Sequence, residues 1–134
     1  FDWGGFRIAP LICYDLRFPE EFRTAVDQGA TLFAVIALWP ARRTAHWTTL
    51  LQARAIENQA YVVGVNRVGV DPIGTYSGRS SVVEPHGIVI ADAGETEGLL
   101  NARLDPAVVT RWREEFPALK DRHWSGSRHS LPPT

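Results

Sequence analysis

Apolar residues in the first half of the chain form short continuous runs, separated by stretches with helical periodicity. The run at residues 32–38 is typical of a strand covered on both faces of a sheet, the run at 6–13 predicts a strand that enters the core, and the run at 61–65 predicts a further buried strand. Apolar residues at helical spacing after Pro19, and again between Thr44 and Asn58, predict the two intervening helices. The resulting β-α-β-α-β order, with its short connections, predicts an α/β fold built on a layered sheet.

The second half of the chain has a different pattern. Residues 71–74 (Asp-Pro-Ile-Gly) predict a turn, and residues 85–87 (Pro-His-Gly) predict a hairpin between strands at 80–84 and 88–91. Alternating apolar and polar residues over 100–104 predict a half-buried strand. The β-α alternation of the first half therefore does not continue here.

A last helix is predicted to begin at Asp105 and Pro106, which suit a helix cap and a first helical position. We expect Val108, Trp112 and Phe116 on its inner side because they recur at helical spacing. From residue 123 to the end the chain is polar with terminal prolines, which predicts a loose tail over 123–134.

Composition narrows the class of protein. The chain has 134 residues, 45% of them hydrophobic and 22% charged, which suits one globular domain. A formal net charge of −1 gives no general attraction for nucleic acid or a membrane surface, so neither is expected as a partner. One cysteine excludes an internal disulfide, which favours a cytoplasmic location. The sequence starts at Phe1 and contains no methionine, so we expect it to be incomplete.

Cys13 is the only thiol, and it stands where an apolar run ends and a helix start follows. We call this predicted strand-to-helix junction the elbow. A lone cysteine in an apolar strand is often a small core residue. The carboxyl end of a buried strand is also where open α/β sheets bind ligands, and a helix N-terminus there can offer backbone N–H groups to an oxyanion. The residues alone leave core packing and a nucleophile open, and a redox-sensing thiol is a third reading.

The histidines do not decide between these readings. None of the four has a spacing that demands a pair with Cys13, and surface or turn positions account for them. They also lack the paired spacing of a zinc site, which one cysteine cannot complete, so no metal is expected.

Several motifs occur in an order that points to one family. The segment at 12–20 (ICYDLRFPE) is followed by Leu38-Trp39-Pro40, by a helix and strand over 46–62, and by short motifs at 66–69, 76–78 and 85–87. Together these resemble the nitrilase superfamily, the carbon–nitrogen hydrolases, with 12–20 similar to its nucleophile segment. The ending at 116–122 (FPALKDR) resembles the omega-amidase branch, which acts on 2-oxoglutaramate-type substrates.

The resemblance implies a fold and a reaction. The fold is the C-terminal half of a four-layer α-β-β-α sandwich, with residues 1–122 as the C-terminal part of a carbon–nitrogen hydrolase domain. The reaction is hydrolysis of a non-peptide carbon–nitrogen bond of a small carboxamide through a cysteine thioester, without a cofactor. A Glu serves as general base and acid, and a Lys stabilises the oxyanion. In the family both lie well upstream of the cysteine, whereas none of the twelve residues before Cys13 is Glu or Lys, so we expect little activity from this chain alone.

Individual roles carry over by resemblance to five positions. Cys13 is the expected catalytic nucleophile, and Tyr14 is expected to present its backbone N–H to the oxyanion. Trp39 is expected to line the substrate pocket, with core packing as the alternative. Asp15 and Arg17 are expected to support the elbow through an ion pair.

The partners follow from the same resemblance. A small-molecule amide is the expected substrate, and family members commonly form homodimers. Half of a sandwich leaves apolar sheet surface uncovered, so we expect poor solubility or self-association. The alternative to an enzyme is a truncated or degenerate family member that serves as a non-catalytic interaction module. The missing Glu and Lys favour that alternative, and the intact segment around Cys13 disfavours it. Leu38, where the branch commonly has Asn, leaves amide specificity open.

Overall fold

The computed structural model of the protein describes residues 1–122, so the tail expected at 123–134 lies outside the described residues. The strands are β1 (Asp2–Trp3), β2 (Phe6–Ile12), β3 (Leu32–Ala37), β4 (Tyr61–Asn66), β5 (Val68–Asp71), β6 (Gly74–Ser77), β7 (Ser81–Val83) and β8 (Val89–Asp92). The α-helices are α1 (Pro19–Asp27), α2 (Thr44–Asn58) and α3 (Pro106–Glu115). Short 3-10 helices span Cys13–Arg17, Ala41–Arg43 and Ala118–Asp121.

Six of these strands form one sheet in the order β1-β2-β3-β4-β7-β8. Strands β2, β3 and β4 run parallel, joined by α1 and α2, while β1, β7 and β8 pair antiparallel at the two sides. The predicted α/β architecture and the helix from Thr44 to Asn58 are confirmed. Within residues 1–122, no helix has the length and apolar character needed to cross a membrane.

The main core lies between this sheet and helices α1 and α2. Phe22 of α1 meets Phe33 of β3 edge to face, with ring centroids 4.8 Å apart. Trp47 and Leu51 of α2 are fully buried against the sheet. Gly64 of β4 permits that approach, since a Cβ built there would lie only 2.6 Å from Leu51. Close packing of this layer holds α2 against β4, and α2 also contacts the short helix after β2, where the candidate site lies.

Within residues 1–122, the opposite face of the sheet is covered only at the amino ends of its strands. There Val109 of α3 packs with Phe6, Leu32 and Tyr61. At the carboxyl ends, Ile12, Ile36 and Val65 are paired in register across β2, β3 and β4, and each is more than half exposed. For β3, whose continuous apolar run predicts cover on both faces, residues 1–122 cover only one face at this end, and the exposed face is the uncovered sheet surface expected of half a sandwich. We call these three side chains the exposed row.

In the second half of the chain, the predicted strand at 100–104 is wrong, whereas the predicted turn at 71–74 is confirmed. Residues 100–104 form no strand, because Leu104 packs against the cluster around Val109 on the sheet face instead of pairing with an edge. The turn at 71–74 proves to be the tip of a separate two-stranded hairpin, β5–β6. The carboxylate of Asp71 closes that tip by accepting the N–H groups of Ile73 and Gly74 at 2.8 and 2.9 Å.

The inner side of α3 also differs from the prediction. Asp105 caps the helix by accepting the Ala107 N–H at 2.9 Å, as expected. Val109 is the residue that is fully buried, whereas Phe116 lies just beyond the last helical residue and is more than half exposed. The guanidinium of Arg113 also faces inward, where it donates to the carbonyls of Ala30, Asn58 and Gln59. The spacing of apolar residues does not reveal that Arg113 belongs to the inner face of α3.

Candidate active site

The predicted elbow is present at the carboxyl end of β2. The strand ends at Ile12, and Cys13 begins the 3-10 helix that leads through Arg17 into α1. Cys13 has φ of +43°, in the left-handed region that non-glycine residues rarely adopt. Such conformations persist where the surrounding contacts over-determine them, and they concentrate at functional sites. The backbone at Cys13 is therefore held by its neighbours rather than by its own preference.

Asp15 supplies one of these holding contacts. Its carboxylate oxygen Oδ2 accepts a hydrogen bond from the backbone N–H of Ile12 at 2.8 Å, across the strained residue. The carbonyl of Asp15 also accepts the Phe18 N–H at 2.9 Å, where the short helix ends. Asp15 thus ties the last residue of β2 to the turn that follows it.

Arg17 lies against aromatic rings instead of against Asp15. Its guanidinium carbon is 4.7 Å from the ring centroid of Trp39 and 5.9 Å from that of Tyr14. Its Nη atoms are 3.4 and 3.5 Å from Nδ1 of His46, at the start of α2. Stacking of a guanidinium on a ring face is attractive, so Arg17 joins the elbow to the segment after β3.

The Cys13 thiol sits at the edge of the main core. The side chain is half-buried and packs on the helix-side cluster, and its Sγ lies 3.8 Å from the carbonyl oxygen of Leu38. Core packing and access from outside therefore coexist at this residue. The structure brings the thiol next to the Leu38–Trp39 segment.

Tyr14 has an exposed side chain, and its backbone N–H lies at the start of the short helix. Its ring is 65% exposed and meets Phe18 edge to face at 5.4 Å. The first N–H groups of a short helix have no partner within the helix. Among the contacts of residues 1–122, the Tyr14 N–H has no protein acceptor outside it. This donor is next to the thiol in sequence and is available to a developing negative charge.

Trp39 is buried, with only 2% of its surface exposed, and packs at a tilt on Trp47. Its indole N–H donates to the Arg43 carbonyl at 2.8 Å. The buried side chain of Asn66 binds the backbone of Trp39 at both its N–H and its carbonyl, at 2.7 and 3.3 Å. In the described residues the Trp39 ring therefore belongs to the core beneath Arg17, and its role as a pocket wall remains a prediction.

Arg54 and Asn66 are structural contributors that the sequence reasoning missed. Arg54 lies on the buried face of α2 and donates twice to the Leu16 carbonyl in the short helix after Cys13. A signal was available, since Arg54 follows Leu51 by three residues and so falls on the apolar stripe of α2. A charged residue at such a position needs a buried partner.

A cavity lies near the exposed row and away from the thiol. This cavity of about 530 Å³ is lined by β4, β7 and the loop at 93–100, and its walls include Val65 and Asn66 but neither Cys13 nor Trp39. Within residues 1–122, no group of three or more His, Cys, Asp or Glu side chains is arranged to hold a metal ion. The candidate chemistry therefore rests on the elbow.

Comparisons with known proteins place this fold in one family. Residues 1–114 match the carbon-nitrogen hydrolase family, and the chain belongs to that family. The Escherichia coli (strain K12) omega-amidase YafV is 49% identical over 122 residues, covering 90% of this chain and 47% of the relative. The 2-oxoglutaramate amidase of Bacillus subtilis (strain 168) is 40% identical over 121 residues, again covering 90% and 47%. The chain thus spans about half the length of the curated relatives it matches.

Solved structures agree with this assignment. XC1258 from Xanthomonas campestris, a CN-hydrolase superfamily protein with an arsenic adduct in its active site, matches with a TM-score of 0.87 and 37% identity, over 96% of this chain and 51% of that one. A mutant amidase from Nesterenkonia sp. AN1 carries the acetamide moiety of fluoroacetamide on its active-site cysteine. It matches with a TM-score of 0.79 and 33% identity, over 92% of this chain and 43% of that one. The fold is that of the nitrilase superfamily.

Proposed function

We propose that this chain carries the nucleophilic cysteine of an omega-amidase-like hydrolase, and that Cys13 is that residue. The observation that carries the proposal is the conformation of Cys13, held in the left-handed region at the end of β2 beside the Tyr14 N–H, which has no acceptor within residues 1–122. The similarity to a protein with an acetamide moiety on its active-site cysteine supports it, and the two omega-amide-cleaving relatives suggest the substrate class. That class is a small omega-carboxamide of 2-oxoglutaramate type.

The proposed reaction has two stages. The Cys13 sulfur forms a bond to the amide carbon, and the carbonyl electron pair moves to oxygen, where the Tyr14 N–H stabilises the charge. The carbon–nitrogen bond then breaks as the nitrogen takes a proton, releasing ammonia and leaving a thioester. Water adds to the thioester carbon, the carbon–sulfur bond breaks, and a carboxylate and the free thiol result. Proton transfer in both stages needs a general acid and base.

The acid–base Glu and the oxyanion Lys are proposed to come from polypeptide other than residues 1–134. None of the residues before Cys13 is Glu or Lys, and Lys120, the only lysine, lies after α3. The exposed row lies at the carboxyl ends of the strands, the end that also carries Cys13. A layer packed on this row would approach the elbow, which is where the two missing groups are needed.

A fusion experiment tests the proposal. The amino-terminal half of the E. coli omega-amidase, joined before Phe1, should give a protein that releases ammonia from 2-oxoglutaramate. Cys13→Ala and Cys13→Ser in the fusion should abolish release, and the 134-residue chain alone should show negligible turnover. A folded fusion without activity, or activity that survives Cys13→Ala, would overturn the assignment. Ammonia release by the chain alone, lost in Cys13→Ala, would instead overturn the proposed need for outside groups.

The exposed row also favours a second candidate, a non-catalytic interaction module. Three neighbouring apolar side chains that are more than half exposed are typical of a surface that binds protein. We propose that the chain, on its own, uses this row to form a homodimer. If the fusion is folded and inactive while the chain forms a stable dimer, the module is the better description.

We also propose that the protein works in the cytoplasm. Cys13, its only cysteine, is a free thiol, and a catalytic thiol must stay reduced. Fractionation of cells producing the chain with its natural upstream sequence would test this location, and recovery outside the cytoplasm would contradict it.

A further inference from the structure

Arg54 is a buried charge with an unusually complete set of partners. Its side chain lies on the inner face of α2 and is 5% exposed. Nε and Nη2 both donate to the carbonyl oxygen of Leu16, at 3.1 and 2.8 Å, and Nη1 donates to Oε1 of Glu57 at 2.9 Å. Burying a guanidinium is costly unless its donors are satisfied, so its bonds to Leu16 and Glu57 are required for the fold to accept it.

The carbonyl that Arg54 binds belongs to the short helix that Cys13 begins. Leu16 is the fourth residue of this helix, and its side chain is fully buried. The last carbonyls of a helix lack partners within it, and here the guanidinium provides two charge-assisted donors to one of them. The short helix is therefore held at its far end by Arg54, and at its near end by the Asp15 bond to Ile12.

Glu57 fixes the guanidinium in this orientation. Its Oε1 binds Arg54, while its Oε2 lies 3.4 Å from Nη2 of Arg23 on α1. Arg23 also donates to the Glu57 backbone carbonyl at 2.6 Å. The Arg54 guanidinium carbon stands 5.2 Å from the ring centroid of Phe22. The planar group is thus restrained at its edges by a carboxylate and a carbonyl, and at its face by an aromatic ring.

We infer that Arg54 is a positioning residue for Cys13, acting through the Leu16 carbonyl, with Glu57 orienting it. Cys13 occupies a backbone region that costs energy, so the turn must be anchored on both sides to stay there. With the Arg54 anchor lost, the short helix can relax, and the Cys13 sulfur and the Tyr14 N–H leave their mutual arrangement. The catalytic meaning of this inference rests on the proposed function, but the anchoring itself does not.

Arg113 provides a matched control. Its guanidinium is also largely buried and also binds backbone carbonyls, those of Ala30, Asn58 and Gln59. It joins α3 to the C-terminal end of α2 and makes no contact with the short helix. Arg54→Lys and Arg54→Met can therefore be compared with Arg113→Lys and Arg113→Met, pairs that remove the same kind of group from different places.

Hydrogen exchange and alkylation test the anchoring in the 134-residue chain. In the Arg54 variants we expect protection of the Ile12 and Phe18 amides to fall about tenfold more than global unfolding explains. The rate at which iodoacetamide alkylates Cys13, the only thiol, should also change several-fold, with Lys closer to the parent than Met. In the Arg113 variants, protection of the same two amides should fall only as far as the change in global stability predicts. If both amides follow global stability in the Arg54 variants and alkylation is unchanged, Arg54 is not a positioning residue.

Kinetics of the fusion enzyme test whether anchoring by Arg54 affects turnover. Misplacement of a reacting group by about 1 Å can cost roughly a hundredfold in rate, so Arg54→Lys should lower kcat at least tenfold with KM changed less than about threefold. Arg113→Lys should leave both constants near the parent values at a temperature where the variants are folded. An equal loss of kcat in Arg54→Lys and Arg113→Lys would refute the inference that Arg54 positions Cys13 for catalysis. A parent fusion without activity would refute the proposed function, while the exchange and alkylation results would still decide the anchoring.

Discussion

The side chain of Asn66 is bonded to the backbone of Trp39 on both sides of that residue. Its Oδ1 accepts the Trp39 N–H at 2.7 Å, and its Nδ2 donates to the Trp39 carbonyl at 3.3 Å. The same Nδ2 donates to the Gly78 carbonyl at 2.9 Å. One buried amide thus holds the segment after β3, the end of β4 and the segment after the β5–β6 hairpin together.

Asn66→Leu should therefore destabilise the fold. A leucine of similar size leaves the Trp39 N–H and the Gly78 carbonyl without partners, and each buried unpaired group costs about 1–3 kcal/mol. Urea unfolding followed by tryptophan fluorescence measures the loss. Asn66→Asp keeps an acceptor for the Trp39 N–H but no donor for the two carbonyls, so it should show whether the donor side matters. An Asn66→Leu protein as stable as the parent would refute this account.

Gly64→Ala should be unusually costly for a one-methyl change. The added Cβ would lie 2.6 Å from Cδ1 of Leu51 and 2.9 Å from Cζ2 of Trp47, both in the fully buried layer between β4 and α2. Overpacking of this kind costs about 1–3 kcal/mol.

Thermal or urea unfolding of Gly64→Ala measures the loss in free energy of unfolding. Gly98→Ala is the control because a Cβ there meets nothing within 4 Å. A double-mutant cycle with Leu51→Ala adds a second check. If the clash is with Leu51, truncating that side chain should cost less in the Gly64→Ala background than in the parent. Equal costs in the two backgrounds would place the strain elsewhere.

Local periodicity explains why much of the fold could be predicted. The helix from Thr44 to Asn58 matches its prediction because its buried residues recur at helical spacing. The strands β2, β3 and β4 were readable as apolar runs. What periodicity cannot show is whether a second layer covers a given face, and Ile36 reads as a core residue although it is more than half exposed. The continuous run predicted burial on both faces, and the described residues cover one.

The strand-to-helix elbow at Cys13 could be predicted from the sequence, but the contacts that hold it could not, and the site roles of its residues remain predictions. The motif around Cys13 gave the elbow, and the run of motifs placed the Leu38–Trp39 segment after it. The contacts that hold the elbow join residues far apart in sequence: Arg54 and Leu16 are 38 residues apart, and Asn66 and Trp39 are 27 apart. Such pairs depend on how the helices and strands pack, which no local pattern records.

Ile36→Lys should reduce self-association of the isolated chain. Ile36 lies between Ile12 and Val65 in the exposed row, so a lysine there puts a charge at the centre of the apolar surface. Stability should change little because the side chain is already mostly exposed. Light scattering coupled to size-exclusion chromatography should show the molar mass falling from dimer toward monomer.

Val70→Lys is the control for Ile36→Lys, because Val70 is also highly exposed but lies on the separate β5–β6 hairpin. It should leave the molar mass unchanged. A parent chain that is already monomeric at high concentration, or an equal effect of the two lysines, would contradict association through the exposed row.

Tyr61 should make the fold sensitive to alkaline pH. Burial raises the pKa of the Tyr61 phenol above its usual value near 10, outweighing the backbone hydrogen bond from Asp105, which acts in the opposite direction. The unfolded chain therefore releases this proton at lower pH than the folded chain does. Stability is unaffected below the unfolded pKa and is lost as pH rises above about 10, by up to about 1.4 kcal/mol for each unit by which the two pKa values differ.

Urea unfolding of the parent and of Tyr61→Phe, measured from about pH 8 to 11.5, separates this effect from general alkaline damage. Tyr61→Phe loses only a long 3.5 Å bond from the Asp105 N–H, so its stability at pH 8 should stay close to that of the parent. Its decline above pH 10 should be shallower, whereas Tyr14→Phe, at an exposed ring, should decline as the parent does. Parallel decline of the parent and Tyr61→Phe would show that the buried phenol does not set the alkaline limit, because removing its proton would then have changed nothing.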